Sequence, residues 1–240
     1  MRKERPILFS TPMVQALLAG RKTMTRRVID EPWLITFLNR MENAYSKADL
    51  PDTLKRIVTD KKNDGGFEVP CKNGQIGDLI WVREEHNIKL NGNYVQCLFK
   101  DLGAVMLPFS EISEKALNNI KKRKTLGKWQ RARFLPKEFS RIWLEITDIR
   151  IERLKNITEE DSLREGVEMI VSKDILNGLY KNYQKDNSGF LTPVGSFLSV
   201  WDVINGDKSH ESNPWVWVIS FKVLSTNDKP ENVDKEAATA

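Results

Sequence analysis

Lys22 and Thr25 stand three residues apart in the octet Gly20-Arg21-Lys22-Thr23-Met24-Thr25-Arg26-Arg27. A threonine hydroxyl attacks a carbonyl only when a base takes its proton. A lysine can be that base when burial and neighbouring cations lower its pKa, and Arg21, Arg26 and Arg27 are such neighbours. In a strand, residues three apart face opposite ways, so the pair meets only through a turn or bulge after Gly20. The same octet also fits a solvated basic strand that binds nothing, and spacing alone leaves both readings open.

Glu165 is the second chemical candidate. It sits in the last turn expected for a helix starting at Thr158, just before Gly166. There it faces the negative end of the helix dipole, which favours the protonated form and suits proton donation. An ordinary exposed glutamate fits the position as well. Glu159, Glu160 and Asp161 lie at the opposite end, where capping accounts for them. A third candidate is the basic stretch from Lys121 to Arg141, with Arg131, Arg133 and Lys137 and the interleaved Trp129 and Phe134. Cations there can bind phosphates and aromatic rings can stack on unpaired bases; a solvated loop anchored by a tryptophan is the alternative. Trp215 and Trp217 share one face of the last expected strand and line either a pocket or a core layer.

Other chemistry is sparse. His86 and His210 have no ligand pattern around them, and Cys71 and Cys97 fit neither a zinc site nor a disulfide framework. No phosphate loop or dinucleotide glycine pattern occurs. No metal and no cofactor are expected. The cysteine usage suits a reducing, cytoplasmic setting. No secretory signal and no membrane span are expected.

These residues are positioned by a chain of 240 residues, 40% hydrophobic and 30% charged, which can bury a core. A net charge of +5 leans towards polyanionic partners. Strands are expected at Pro6–Ser10, Lys22–Ile29, Leu79–Arg83, Tyr94–Phe99, Ile142–Leu154 and Pro214–Leu224. The Tyr94 strand pairs with its predecessor, Leu79–Arg83, through the Asn91-Gly92-Asn93 turn. Helices are expected after Ser10, over Trp33–Met41, after Thr158, over Ser172–Tyr183 and over Ser196–Ile204. Asp60–Gly66 and Asp186–Gly195 read as loops. The inventory predicts an α+β fold, a small mixed sheet or barrel with short helices, in one domain over 1–224. The polar segment 225–240 is expected to be a disordered tail.

The octet fits the Gly-x-Lys-x-x-Thr-x-Arg signature of the ASCH domain family. Other segments resemble the longer, phage- and prophage-associated members. They include Pro6–Ser10 with Leu17–Thr23, Gly77–Glu84, Ser140–Thr147, Ile157–Asp161 with Glu165-Gly166, and Asn213–Val218. The resemblance spans most of the chain in one order. It implies a PUA-like β-barrel and an association with RNA, with residues 31–70, 87–135 and 168–195 as insertions.

It also implies an activity. A compact ASCH protein acts as an amidohydrolase on N4-acetylcytidine, with a threonine nucleophile, a lysine base and a glutamate proton donor. The matching positions are Thr25, Lys22 and Glu165, and the motif arginine is Arg27. This chain is more than twice as long as that protein, so its insertions can reshape the cleft and the substrate. The expectation is therefore a nucleobase- or RNA-binding protein, with a modified nucleoside or RNA as partner, DNA as a further possibility, and N4-acylcytidine hydrolysis as the activity. Arg27, Arg83, Arg131, Arg133, Lys137 and Trp217 are its expected binding residues. The alternatives are a non-catalytic RNA- or DNA-binding module and a metal-independent ribonuclease.

Overall fold

The structure is a computed structural model that describes residues 2–46, 50, 54, 69–170, 178–184, 189–227 and 229–230. Along the chain come β1 (Glu4–Leu8), α1 (Thr11–Leu18), β2 (Met24–Val28), α2 (Pro32–Ala44), β3 (Leu79–Arg83), β4 (His86–Asn91), β5 (Tyr94–Phe99) and β6 (Ala104–Pro108). Then follow α3 (Glu114–Lys121), β7 (Trp129–Gln130), β8 (Trp143–Arg153), α4 (Glu159–Arg164), β9 (Met169–Ile170), β10 (Leu179–Lys181), β11 (Gly189–Phe190), α5 (Pro193–Asn205) and β12 (Trp215–Ser225). The fold is α+β, with several sheets. None of them closes into a barrel among the described residues, so the expected β-barrel is not seen.

Contacts divide the chain into two units, with the boundary falling within β8 and within β12. The first comprises Met1–Leu18, Gly77–Glu145 and Lys222–Ala240. Here β1 runs parallel to β3, and β3 pairs antiparallel with the start of β8. A four-stranded antiparallel sheet, in the order β6-β5-β4-β7, lies almost wholly within the segment expected as the middle insertion. One of its faces packs Ile88, Val95, Cys97 and Phe99 against Ile112, Ile120, Leu135 and Phe139, which α3 and the turns before and after it supply. The alternation of inward apolar and outward polar residues is what a half-solvated antiparallel sheet requires. Arg141 is buried in this unit and bonded to both Glu84 and Asp101.

The second unit comprises Ala19–Ile76 and Ile146–Phe221. β12 pairs antiparallel with β2, in the register Val216↔Val28, Trp217↔Arg27, Val218↔Arg26, Ile219↔Thr25 and Ser220↔Met24. Directly opposed residues share a face. One face therefore carries Met24, Arg26, Val28, Val216 and Val218, and packs on Leu154, Ile157, Phe197 and Trp201. The other carries Thr25, Arg27, Trp217 and Ile219. A small sheet, in the order β11-β10-β9, completes the unit.

Several expectations are corrected. The partner of β5 in the hairpin is β4, not Leu79–Arg83. The polar composition of His-Asn-Ile-Lys-Leu-Asn hides β4, because only its first half is buried. Of the helix expected over 172–183, residues 171–177 lie outside the described residues, and Leu179–Lys181 is the strand β10. The loop expected over 186–195 contains β11 and the start of α5, and its residues 186–188 lie outside the described residues. The Asp60–Gly66 loop and residues 231–240 of the expected tail also lie outside the described residues. Helix α3 and strand β7 arise within residues 111–141, where no element was expected.

Candidate functional site

Gly20 follows α1 with a φ of 71°, a left-handed conformation that glycine adopts without strain. It turns the chain towards β2. Thr23 N–H then donates to Arg164 O at 2.9 Å, and Phe221 N–H donates to Thr23 O at 2.9 Å. The first of these bonds satisfies a carbonyl left open at the end of α4. It also brings that helix end against the residues just before β2.

Helix α4 forms as its sequence dictates. The Thr158 hydroxyl accepts from Asp161 N–H, capping the first turn. Gly166, with a φ of 93°, lets the chain leave after Glu165, the C-cap residue. Glu165 is buried at 6% exposure and Lys22 is fully buried. Lys22 Nζ donates to Glu165 Oε2 at 2.8 Å, to Glu165 O at 2.9 Å and to Met24 O at 2.8 Å. The last acceptor is the carbonyl of the peptide that joins Met24 to Thr25.

Arg26 is the centre of the ionic cluster, a role that sequence reasoning did not assign to it. Its guanidinium donates to Glu152 Oε1 at 2.6 Å, Asp161 Oδ2 at 2.8 Å and Glu165 Oε1 at 3.2 Å. It also lies 5.6 Å from the centre of the Phe197 ring. Arg150 joins through Glu152 and Asp161. Lys22, Arg26 and Arg150 thus meet Glu152, Asp161 and Glu165, and Arg164 lies 3.9 Å from Asp161, four cations against three carboxylates. No local pattern separates Arg26 from Arg27. The sole sequence signal is strand parity, which sends neighbouring side chains to opposite faces.

Burial lowers the pKa of Lys22. Glu165 opposes that shift, while the charges of Arg27 and Arg26 add to it. For Arg26, burial works against the charge, but Glu165 and Glu152 outweigh it and hold the guanidinium protonated. Arg27 moves the other way, because burial lowers its pKa and Glu165 offsets this only in part.

Thr25 is 1% exposed, on the face of β2 that also carries Arg27. Opposite Arg27, Trp217 is fully buried and its Nε1–H has no hydrogen-bond acceptor among the described residues. The second unit thus gathers Lys22 and Glu165 in direct contact, and places Thr25, Arg27 and Trp217 on one face of the β2–β12 pair. Arg83, Arg131, Arg133 and Lys137 belong to the first unit. Arg83 stacks at 4.5 Å on Trp81, Arg131 and Arg133 are exposed, and Arg133 lies over Phe134. Lys137 pairs with Glu4 and lines a cleft of about 470 Å³ with Trp143, Leu107 and Lys229.

Among the described residues, no group of three or more His, Cys, Asp or Glu side chains could hold a metal ion. No helix among them is long and apolar enough to cross a membrane. Cys71 and Cys97 are buried free thiols. Comparisons with protein-family models, curated proteins and solved structures find no match to this chain.

Proposed function

We propose that the second unit binds a nucleobase, as a nucleoside or within RNA. More particularly, we propose that the chain is a PUA-like protein of the ASCH type that deacylates N4-acetylcytidine-type nucleosides. The observation that carries this reading is the buried Lys22–Glu165 contact, anchored on the carbonyl next to Thr25. A proton shift along that 2.8 Å hydrogen bond turns the ion pair into a neutral amine beside a carboxylic acid. Those are the base and the acid that amide cleavage uses. The lowered pKa of Lys22 favours the shift.

In this mechanism Thr25 Oγ attacks the amide carbonyl and Lys22 takes the hydroxyl proton. The carbon–nitrogen bond breaks as Glu165 protonates the leaving amine. The Lys22–Glu165 ion pair is thereby restored beside an acyl ester on Thr25. Water cleaves that ester, releasing the carboxylic acid and returning a proton to Thr25. Arg27 contributes positive potential, and the indole N–H of Trp217 is a donor for a base carbonyl once the site opens.

The completeness of the cluster favours a second reading. Lys22 already donates to three oxygens, and each carboxylate of the cluster is paired with a cation. A structural ion network of this kind suits a non-catalytic RNA- or DNA-binding module of phage origin. Incubation of the purified protein with N4-acetylcytidine, with cytidine release followed by chromatography, decides between the two. Turnover that disappears in Lys22→Ala and Thr25→Ala supports the hydrolase. No turnover by the wild type, with salt-sensitive RNA binding that persists in Thr25→Ala, supports the module. Cleavage of labelled RNA in the presence of chelator would replace both with a ribonuclease.

A further inference from the structure

The sheet β6-β5-β4-β7 has a second face. Its register places Trp129 beside Asn87, Lys89 beside Gln96, and Gln96 beside Met106, with Tyr94 one row further on. These positions alternate with the residues that fill the core on the other face. Trp129 is 47% exposed, Tyr94 47% and Met106 49%. Lys89 and Lys100 are exposed as well, and Lys100 Nζ lies 4.2 Å from the centre of the Trp129 ring. The strand residues on this face include no carboxylate.

We infer that this open sheet face is a binding platform for single-stranded nucleic acid. Exposed aromatic rings on a sheet offer stacking surfaces to unpaired bases, and every base has a face to stack. Two strand spacings and two pleats separate Trp129 from Tyr94, roughly 17 Å, which leaves room for intervening nucleotides. Lys89 lies between the two rings, and Lys100 beside the first, where each can meet a phosphate. The strands of this face carry Lys89 and no acid, and just beyond them Lys100 offsets the exposed Glu85, so the face stays net positive and complements a polyanion. Because the platform lies wholly in the first unit, the inference does not depend on the chemistry proposed for Lys22 and Thr25.

The test uses the full chain and fluorescein-labelled twelve-residue oligouridine and oligothymidine, read by fluorescence anisotropy, with a duplex of equal length alongside. Both single strands should bind more tightly than the duplex, and their ratio tells whether RNA or DNA is preferred. Replacing both rings, Trp129→Ala with Tyr94→Ala, should weaken binding at least tenfold, and Trp129→Phe should retain most of it. Lys89→Ala with Lys100→Ala should lower the slope of log affinity against log salt by about 1.4. The rings and lysines tested all lie in the first unit, so failure of the hydrolase reading would not touch this one. Thermal unfolding confirms that the variants are folded. Unchanged affinity in the folded double-ring variant, no binding of either single strand, or equal binding of the duplex would overturn the inference.

Discussion

Lys22 Nζ and Glu165 Oε2 lie 2.8 Å apart, and both side chains are withdrawn from water. Removing one partner leaves the other charge buried and uncompensated. Glu165→Gln is therefore expected to cost about 3–5 kcal/mol, read from urea unfolding. Replacing both, Lys22→Met with Glu165→Leu, should cost less than the sum of the two single changes. Additive losses would show that the two groups are not energetically coupled.

Gly103 is held against a guanidinium. A Cβ placed there would lie 2.0 Å from Arg141 Nη1 and 2.9 Å from its Cζ. Arg141 cannot yield easily, because Glu84 and Asp101 hold it and it stacks 4.3 Å from the centre of the Phe99 ring. Gly103→Ala should destabilise the protein by about 1–3 kcal/mol, the range for an overpacked interior. The same substitution combined with Arg141→Ala should add little further loss, since the clash is then gone. An unchanged midpoint for Gly103→Ala alone would contradict this packing.

His86 makes the first unit sensitive to acid. It is fully buried, its Nδ1 is 3.1 Å from Glu84 O, and its Nε2 has no partner among the described residues. Burial, chiefly, lowers its pKa from 6.5 to about 4, with Arg123 adding to the effect. The folded pKa lies below the unfolded one, so the unfolded chain binds more protons between these values. The contribution of His86 is intact above pH 6.5 and is lost as pH falls towards 4. The loss is up to about 3 kcal/mol. Urea midpoints measured from pH 7.5 to 4 should fall less steeply in His86→Leu than in the wild type. Parallel curves would remove His86 as the source.

Local chemistry made the supports of the site legible. Thr158 followed by Asp161 and Gly166 marks both ends of α4, and Gly20 marks the turn into β2, because a cap and a left-handed glycine depend on few neighbours. The long apolar alternations of β8 and β12 were legible for the same reason. Long-range pairing was not. Asp161 reads as a capping residue, and its backbone does meet Thr158, yet its carboxylate serves Arg26 and Arg150. Arg26 and Arg27 are alike in composition and differ only by strand parity. β4 looks like a polar linker because half of it faces solvent. β10 lay inside a segment whose apolar spacing suited a helix.

Arg27 offers a direct test of the lysine base. Its charge is one of the causes that lower the Lys22 pKa, together with burial and Arg26. If neutral Lys22 accepts the Thr25 proton while Glu165 holds the proton for the leaving amine, the pair must keep one proton to act, so kcat/KM for N4-acetylcytidine falls at high pH along a limb set by Lys22, below its ordinary value of 10.5. Arg27→Ala removes a positive neighbour, so the ammonium form becomes easier to keep and the limb moves to higher pH. Thr25→Ser should keep the limb where it is and retain activity, while Thr25→Ala should lose activity at every pH. A limb that stays in place in Arg27→Ala would mean that some group other than Lys22 takes the proton.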